Sequence, residues 1–156
     1  MDAVRLIETS RRALAASTDL PGLLTEVWQA QALAQAIGSR LAVSGPPELR
    51  GEAIGLTELA GRGCGVLDVP GPKDDEPRAA RLTELGDVRR TLLHLGGLLG
   101  DVGITLVGLA CAARDEATYW QCMEAIDAAD ESRDRVLDML RRLADREAAL
   151  PEREAG

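Results

Sequence analysis

Residues 92–113, LLHLGGLLGDVGITLVGLACAA, constrain this chain more than any other stretch. A segment apolar on almost every side has to be covered on every side. It carries one acid, Asp101, one histidine, His94, and five glycines: Gly96, Gly97, Gly100, Gly103 and Gly108. Each glycine costs a helix about 1 kcal/mol relative to alanine, so the expected offset is close approach of a neighbouring backbone. On that reading a leucine at Gly97 or Gly108 would overpack the site. His94, Gly97, Asp101, Thr105, Gly108 and Ala112 share one helical face, and Leu92, Leu95, Leu99, Val102, Leu106 and Leu109 take much of the rest. A bilayer span needs roughly 20 such residues. Asp101 at the middle would cost about 3 kcal/mol there, and the amphipathic helices around it would then lack a core. A buried central helix of a soluble domain is therefore the reading, with no membrane partner.

The chain is 46% hydrophobic but 2% aromatic, with no phenylalanine, and Ala and Leu dominate where a β-rich domain would use aromatic and β-branched residues. The fold class is all-α. The net charge of −8 argues against binding nucleic acid or an anionic membrane, since both require a basic surface. Twelve acids against six bases from Asp115 onward put −6 of that charge in the last quarter. Seventeen arginines against one lysine, Lys73, point to a GC-rich coding sequence. Cys64, Cys111 and Cys122 match no zinc or redox spacing, and no charged-then-apolar leader opens the chain, so a reducing cytoplasm is expected.

In order, residues 2–16 read as a short amphipathic helix, with Val4, Ile7 and Leu14 opposite Arg5, Arg11 and Arg12. Ser17-Thr18-Asp19 and Pro21 open a second helix over 20–43 that buries Leu20, Leu23, Val27, Ala30, Ala34, Ile37 and Leu41. Gln29, Gln31 and Gln35 read as solvated or rim positions. A third helix spans 47–61, with Leu49, Ala53, Leu56 and Ala60 in register, and residues 62–76 form a Gly/Pro-rich surface loop. Pro77 is expected to open a long fourth helix that carries Leu82, Leu85 and Val88 into the glycine-rich segment. A fifth, over 117–148, buries Tyr119, Met123, Ile126, Ala129, Val136, Leu140 and Leu143. The expected architecture is one domain over 1–150: an up-and-down bundle of four main helices plus a short additional one, with the glycine-rich helix central. A frayed tail follows over 151–156.

Val27-Trp28-Gln29 and Tyr119-Trp120-Gln121 each begin an Ala-rich run. Around these phrases, VWQAQALAQAIGSRLAV and YWQCMEAIDAADES, the chain resembles a family of small uncharacterised proteins from Streptomyces and related actinobacteria. The resemblance implies a domain of unknown function and carries over no functional residues.

The sharpest constellation is acidic. Glu124, Asp127, Glu131, Asp134 and Asp138 recur every three or four residues on one face of the fifth helix, and Glu84-x-x-Asp87 could add a second arm around Mg²⁺. This looks like the carboxylate pairs of all-α nucleoside-triphosphate pyrophosphohydrolases, though no E-x-x-E pair is present. Arg133, Arg135 and Arg141 lie among the acids, so a solvated, salt-bridged face is the simpler reading. His94 and Asp101 stand about 10 Å apart by the helical rise, too far for a dyad, and each is expected to satisfy a buried hydrogen bond, Asp101 with an arginine. Cys64 is expected to be the reactive thiol, on the loop, with Cys111 and Cys122 buried.

The leading function is non-enzymatic and needs no cofactor: a protein-interaction or assembly module, homodimeric or joined to another protein. Trp28, Tyr119 and Trp120 are its expected contact residues, because large aromatics anchor interfaces. The alternative is a Mg²⁺-dependent phosphohydrolase or small-molecule-binding bundle that uses Glu84, Asp87, Glu124, Asp127 and Glu131.

Overall fold

Four of the five helices open on an aspartate whose carboxylate accepts a backbone N–H three residues ahead: Asp2 from Arg5, Asp19 from Gly22, Asp87 from Arg90 and Asp115 from Thr118, at 2.8–3.1 Å. Each satisfies one of the amide groups that a helix start leaves without a partner. The computed structural model describes residues 1–67 and 76–155, with side chains described up to residue 149. Among these residues the fold is all-α: α1 Ala3–Ala16, α2 Leu20–Ser44, α3 Arg50–Gly65, α4 Val88–Ala112 and α5 Glu116–Ala155. Short 3-10 turns precede α3 (Pro47–Leu49) and occupy Arg78–Arg81.

The expected fourth helix does not begin at Pro77. After the 3-10 turn, Leu82 is extended, Gly86 takes a φ of +69°, and Asp87 caps α4. The segment is held open because its backbone is engaged elsewhere. Arg40 donates to the carbonyls of Thr83 and Leu82 at 2.7 and 3.1 Å, the Ala3 amide donates to the Glu84 carbonyl at 3.0 Å, and Arg78 grips Glu26 through both guanidinium ends. A positive φ at Gly86 is open to glycine at little steric cost.

Other expectations shift at the ends. α3 runs on to Gly65, so the start of the expected loop is helical, and residues 68–75 of that loop lie outside the described residues. α5 spans Glu116–Ala155. Leu20 and Tyr119 are exposed, since each sits in the first turn of its helix, beyond the reach of the neighbours that cover later turns.

Close contacts give the directions of the helices. Along α2 and α3, Trp28 meets Cys64, Gln31 meets Gly63, Gln35 meets Gly61, and Gly38 meets Thr57 and Ala53, so the pair is antiparallel. Along α4 and α5, Gly96 lies against Val136, Gly100 against Arg133 and Gly103 against Asp130, again antiparallel. Glu48, Glu52 and Arg62 pair with Arg146, Arg142 and Glu131, which sets α3 antiparallel to α5. The core between them is aliphatic, from Leu6 and Ile7 of α1 to Leu33, Ile37, Leu56, Leu92, Leu95, Leu99 and Val136.

The glycines explain themselves differently from the sequence reading. None of the five in α4 meets a neighbouring backbone among its nearest contacts; a Cβ on Gly97 would strike the Arg11 guanidinium at 2.7 Å, and one on Gly108 would meet nothing within 4 Å. The close backbone approach is at Gly38, whose Cβ would stand 3.1 Å from both the Ala53 carbonyl oxygen and the Thr57 nitrogen. In α3, Gly61 and Gly63 instead make seats for the Gln35 and Gln31 amides. Gln29 and Gln31 are thus buried rather than solvated: Gln29 accepts the Arg78 amide, and Gln31 is 1% exposed with neither amide atom partnered among the described residues. Gly38→Ala is therefore expected to lower stability by about 1–3 kcal/mol through overpacking, while Gly108→Ala raises it by up to about 1 kcal/mol. Thermal melts of the two variants check this, and the opposite ordering would place the tight helix contact elsewhere.

Candidate functional site

The acidic row on α5 is a solvent face. Glu124, Asp127, Glu131 and Asp134 are exposed and Asp138 is half-buried; Glu131 pairs with Arg62 at 3.8 Å and Asp138 with Arg141. Glu84 and Asp87 lie off any helix, one in a backbone bridge to Asp2 and the other capping α4. The start of α4 faces the far part of α5, where Arg89 pairs with Glu147. Glu124 is twenty-three residues earlier on that helix, about 35 Å by the helical rise. The two carboxylate arms are therefore not brought together, and no three His, Cys, Asp or Glu side chains cluster to hold a metal among the described residues. Asp101 accepts from Arg11 at 2.7 Å, joining α4 to α1, though both side chains remain about two-fifths exposed rather than buried. His94 sits half-buried on α4.

The three aromatics separate. Trp28 is half-buried against the core, and its carbonyl accepts the Cys64 thiol at 3.6 Å. Tyr119 and Trp120 stand exposed at the start of α5 with their rings edge to face, centroids 5.2 Å apart. The Gln121 amide reaches back to the Val66 carbonyl at 3.1 Å and so fixes this first turn against the end of α3.

α4 carries three exposed large aliphatic side chains. Its one apolar stretch long enough to cross a membrane is only 33% buried. Ile104 is 76% exposed, Leu93 57% and Val107 49%. With Gly97, Gly100 and Cys111 these residues stand at 93, 97, 100, 104, 107 and 111, a 4-3-4-3-4 spacing that makes one straight seam on a helix. Beside it, Gly100, Gly103, Ile104 and Val107 line a shallow groove against Ile126, Asp130 and Arg133 of α5. This row repeats with the same seven-residue spacing as the buried row Leu92, Leu95, Leu99, Val102 and Leu106 and differs from it only in phase, so spacing alone does not say which of the two faces the core.

The chain belongs to a family of unknown function, DUF6099, whose model matches residues 1–142. No curated protein and no solved structure matches it.

The thiols reverse the expected order of reactivity. Cys64 lies on α3, not on a loop, and burial pushes its thiol up to about 11; burial raises Cys122 as well, and Cys111, expected to be buried, is exposed on α4. Iodoacetamide at neutral pH is expected to label Cys111 alone in the native state, with Cys64 and Cys122 following only on unfolding. The raised value at Cys64 also has a sign for stability. The unfolded thiol ionises from about 9 while the folded one stays protonated to about 11, so this contribution is intact below pH 9 and is lost as the pH rises through that window. Mass mapping of native-state labelling checks the order, and early modification of Cys64 would contradict its burial.

Proposed function

We propose that this member of a family of unknown function is a non-enzymatic assembly module: a mostly up-and-down helical bundle, cytoplasmic, whose glycine-rich α4 presents a face to another protein chain. One observation carries the reading. Leu93, Ile104 and Val107 of α4 form an exposed apolar row, bordered by a groove, where an isolated soluble helix would place polar residues. Tyr119 and Trp120, exposed at the start of α5, support it, because large aromatics are enriched at interfaces and two of this chain's three stand in solvent. Trp28 serves the core more than the contact. The abundance of arginine over lysine supports an actinobacterial source.

The test is made in native lysate. Size-exclusion of lysate from the source organism, with the chain detected by antibody, is expected to find it in a complex above its own 16.6 kDa. Replacing Ile104 and Val107 together by serine on the chromosome is expected to return it to the single-chain position. A wild-type chain eluting alone, or a variant that keeps the wild-type complex, overturns the reading.

A further inference from the structure

We propose that the chain docked on this face is a second copy, paired through an antiparallel α4–α4 seam; the inference rests on the assembly reading above and names its partner. The seam is self-complementary in one direction only. A twofold axis placed midway between Gly100 and Ile104 sets Leu93 opposite Cys111 of the second copy, Gly97 opposite its Val107, and Gly100 opposite its Ile104. Gly100, whose nearest neighbour stands 3.7 Å from a Cβ position, then receives the Ile104 side chain of the other copy as a knob in a hole, while Val107 packs on the Arg11 side chain that covers Gly97. Run in parallel, the same row would stack Gly100 on Gly100 and isoleucine on isoleucine, leaving that glycine layer empty and the Ile104 and Val107 layers overfilled.

Charge selects the same arrangement. α5 flanks the seam with Arg133 at the level of Gly100 and Asp130 at the level of Gly103, each about one side chain's width from the glycine it faces, at 3.7 Å from the missing Cβ. Neither makes an ion pair within the chain among the described residues, although Arg11, Arg62, Arg78 and Arg135 all do. The twofold axis leaves the two α5 helices on the same side of the seam and inverts their levels. Arg133 of each copy then falls opposite Asp130 of the other, giving two equivalent pairs across the axis. A lipid surface would find no use for these charges, and an anionic one would be repelled by the net charge of −8.

The experiment uses the purified full chain. Sedimentation equilibrium is expected to show a monomer–dimer equilibrium. Ile104→Glu is expected to abolish it while circular dichroism and the melting curve stay native-like, because Ile104 is already in solvent in the single chain. Arg133→Asp is expected to weaken association about tenfold, and Arg133→Asp combined with Asp130→Arg to restore it, since both charges exchange places across the axis. Leu93→Cys is expected to give a covalent dimer on mild oxidation that disappears when Cys111 is changed to serine; a bond that survives that change would be Leu93→Cys to its own copy, the parallel register, and overturns the seam. A monomeric wild type, a dimer indifferent to Ile104→Glu, or flotation with neutral phosphatidylcholine vesicles in place of dimerisation also overturns it. A purified monomer that still enters the lysate complex removes self-association while the assembly reading stands; loss of both removes both.

Discussion

A helix apolar on three sides needs cover on three sides, and a bundle of five helices does not supply it to α4. α5 takes one flank through Val136, Arg133 and Asp130, and α1 takes another through Arg11 and Asp101. Leu92, Leu95, Leu98, Leu99, Val102 and Leu106 fill the core between them. The third side, with Leu93, Ile104 and Val107, is left in water. Fully burying an aliphatic side chain is worth about 1.5–3 kcal/mol, and the part-exposed Leu93, Ile104 and Val107 leave a share of that gain unrealised within the chain. The candidate face is what the other helices leave uncovered.

Long polar side chains seated over glycines do much of the register-setting. Gln31 over Gly63, Gln35 over Gly61, Arg135 over Gly55 and Arg11 over Gly97 recur at three different helix pairings. Each seat admits one flexible chain and excludes a Cβ, so a slip of one turn would drive the polar group into a filled position. The ion pairs of α5 with Glu48 and Glu52 act in the same sense: each joins a half-exposed arginine to a glutamate and contributes on the order of 1 kcal/mol, too little to hold the bundle but enough to choose among registers. Gln31 is the exception with a cost, since its buried amide finds no partner among the described residues and an unsatisfied group of this kind forfeits about 1–3 kcal/mol. Its seat at Gly63 shows why it is inside: the space exists only because α3 carries glycine there.

Much of the fold was legible because helices announce themselves by apolar period. The starts of α1 and α2 and the core positions Val27, Ile37, Ala53, Leu56 and Val136 follow from spacing alone. Leu82 and Leu85 misled, since they continue the apolar period of α4 although their backbone is claimed by Arg40 and Ala3, contacts more than forty residues away that no local pattern encodes. The glycines of α4 misled in the same way. A glycine can mean close backbone approach, a seat for a side chain, or open surface, and only the partner distinguishes Gly38, Gly97 and Gly108. The acidic row on α5 was visible as a row, but its distance from Glu84 and Asp87 depends on the antiparallel run of α4 and α5, which periodicity does not contain.

The charge on α5 then acquires a role that neither stability nor metal binding gives it. Its arginines 135, 142 and 146 turn toward the glutamates of the α3 side, so the basic groups of the helix are largely spent inside the chain. Glu124, Asp127 and Asp134 stay in solvent and carry much of the negative charge of the last quarter outward. In the proposed pairing, two copies approaching through that surface would meet like charge, which would disfavour other arrangements without affecting the fold. Arg133 and Asp130, neither in an ion pair among the described residues, both border the apolar row of α4. On the proposed seam, repulsion elsewhere and balance there would favour approach through the apolar row of α4.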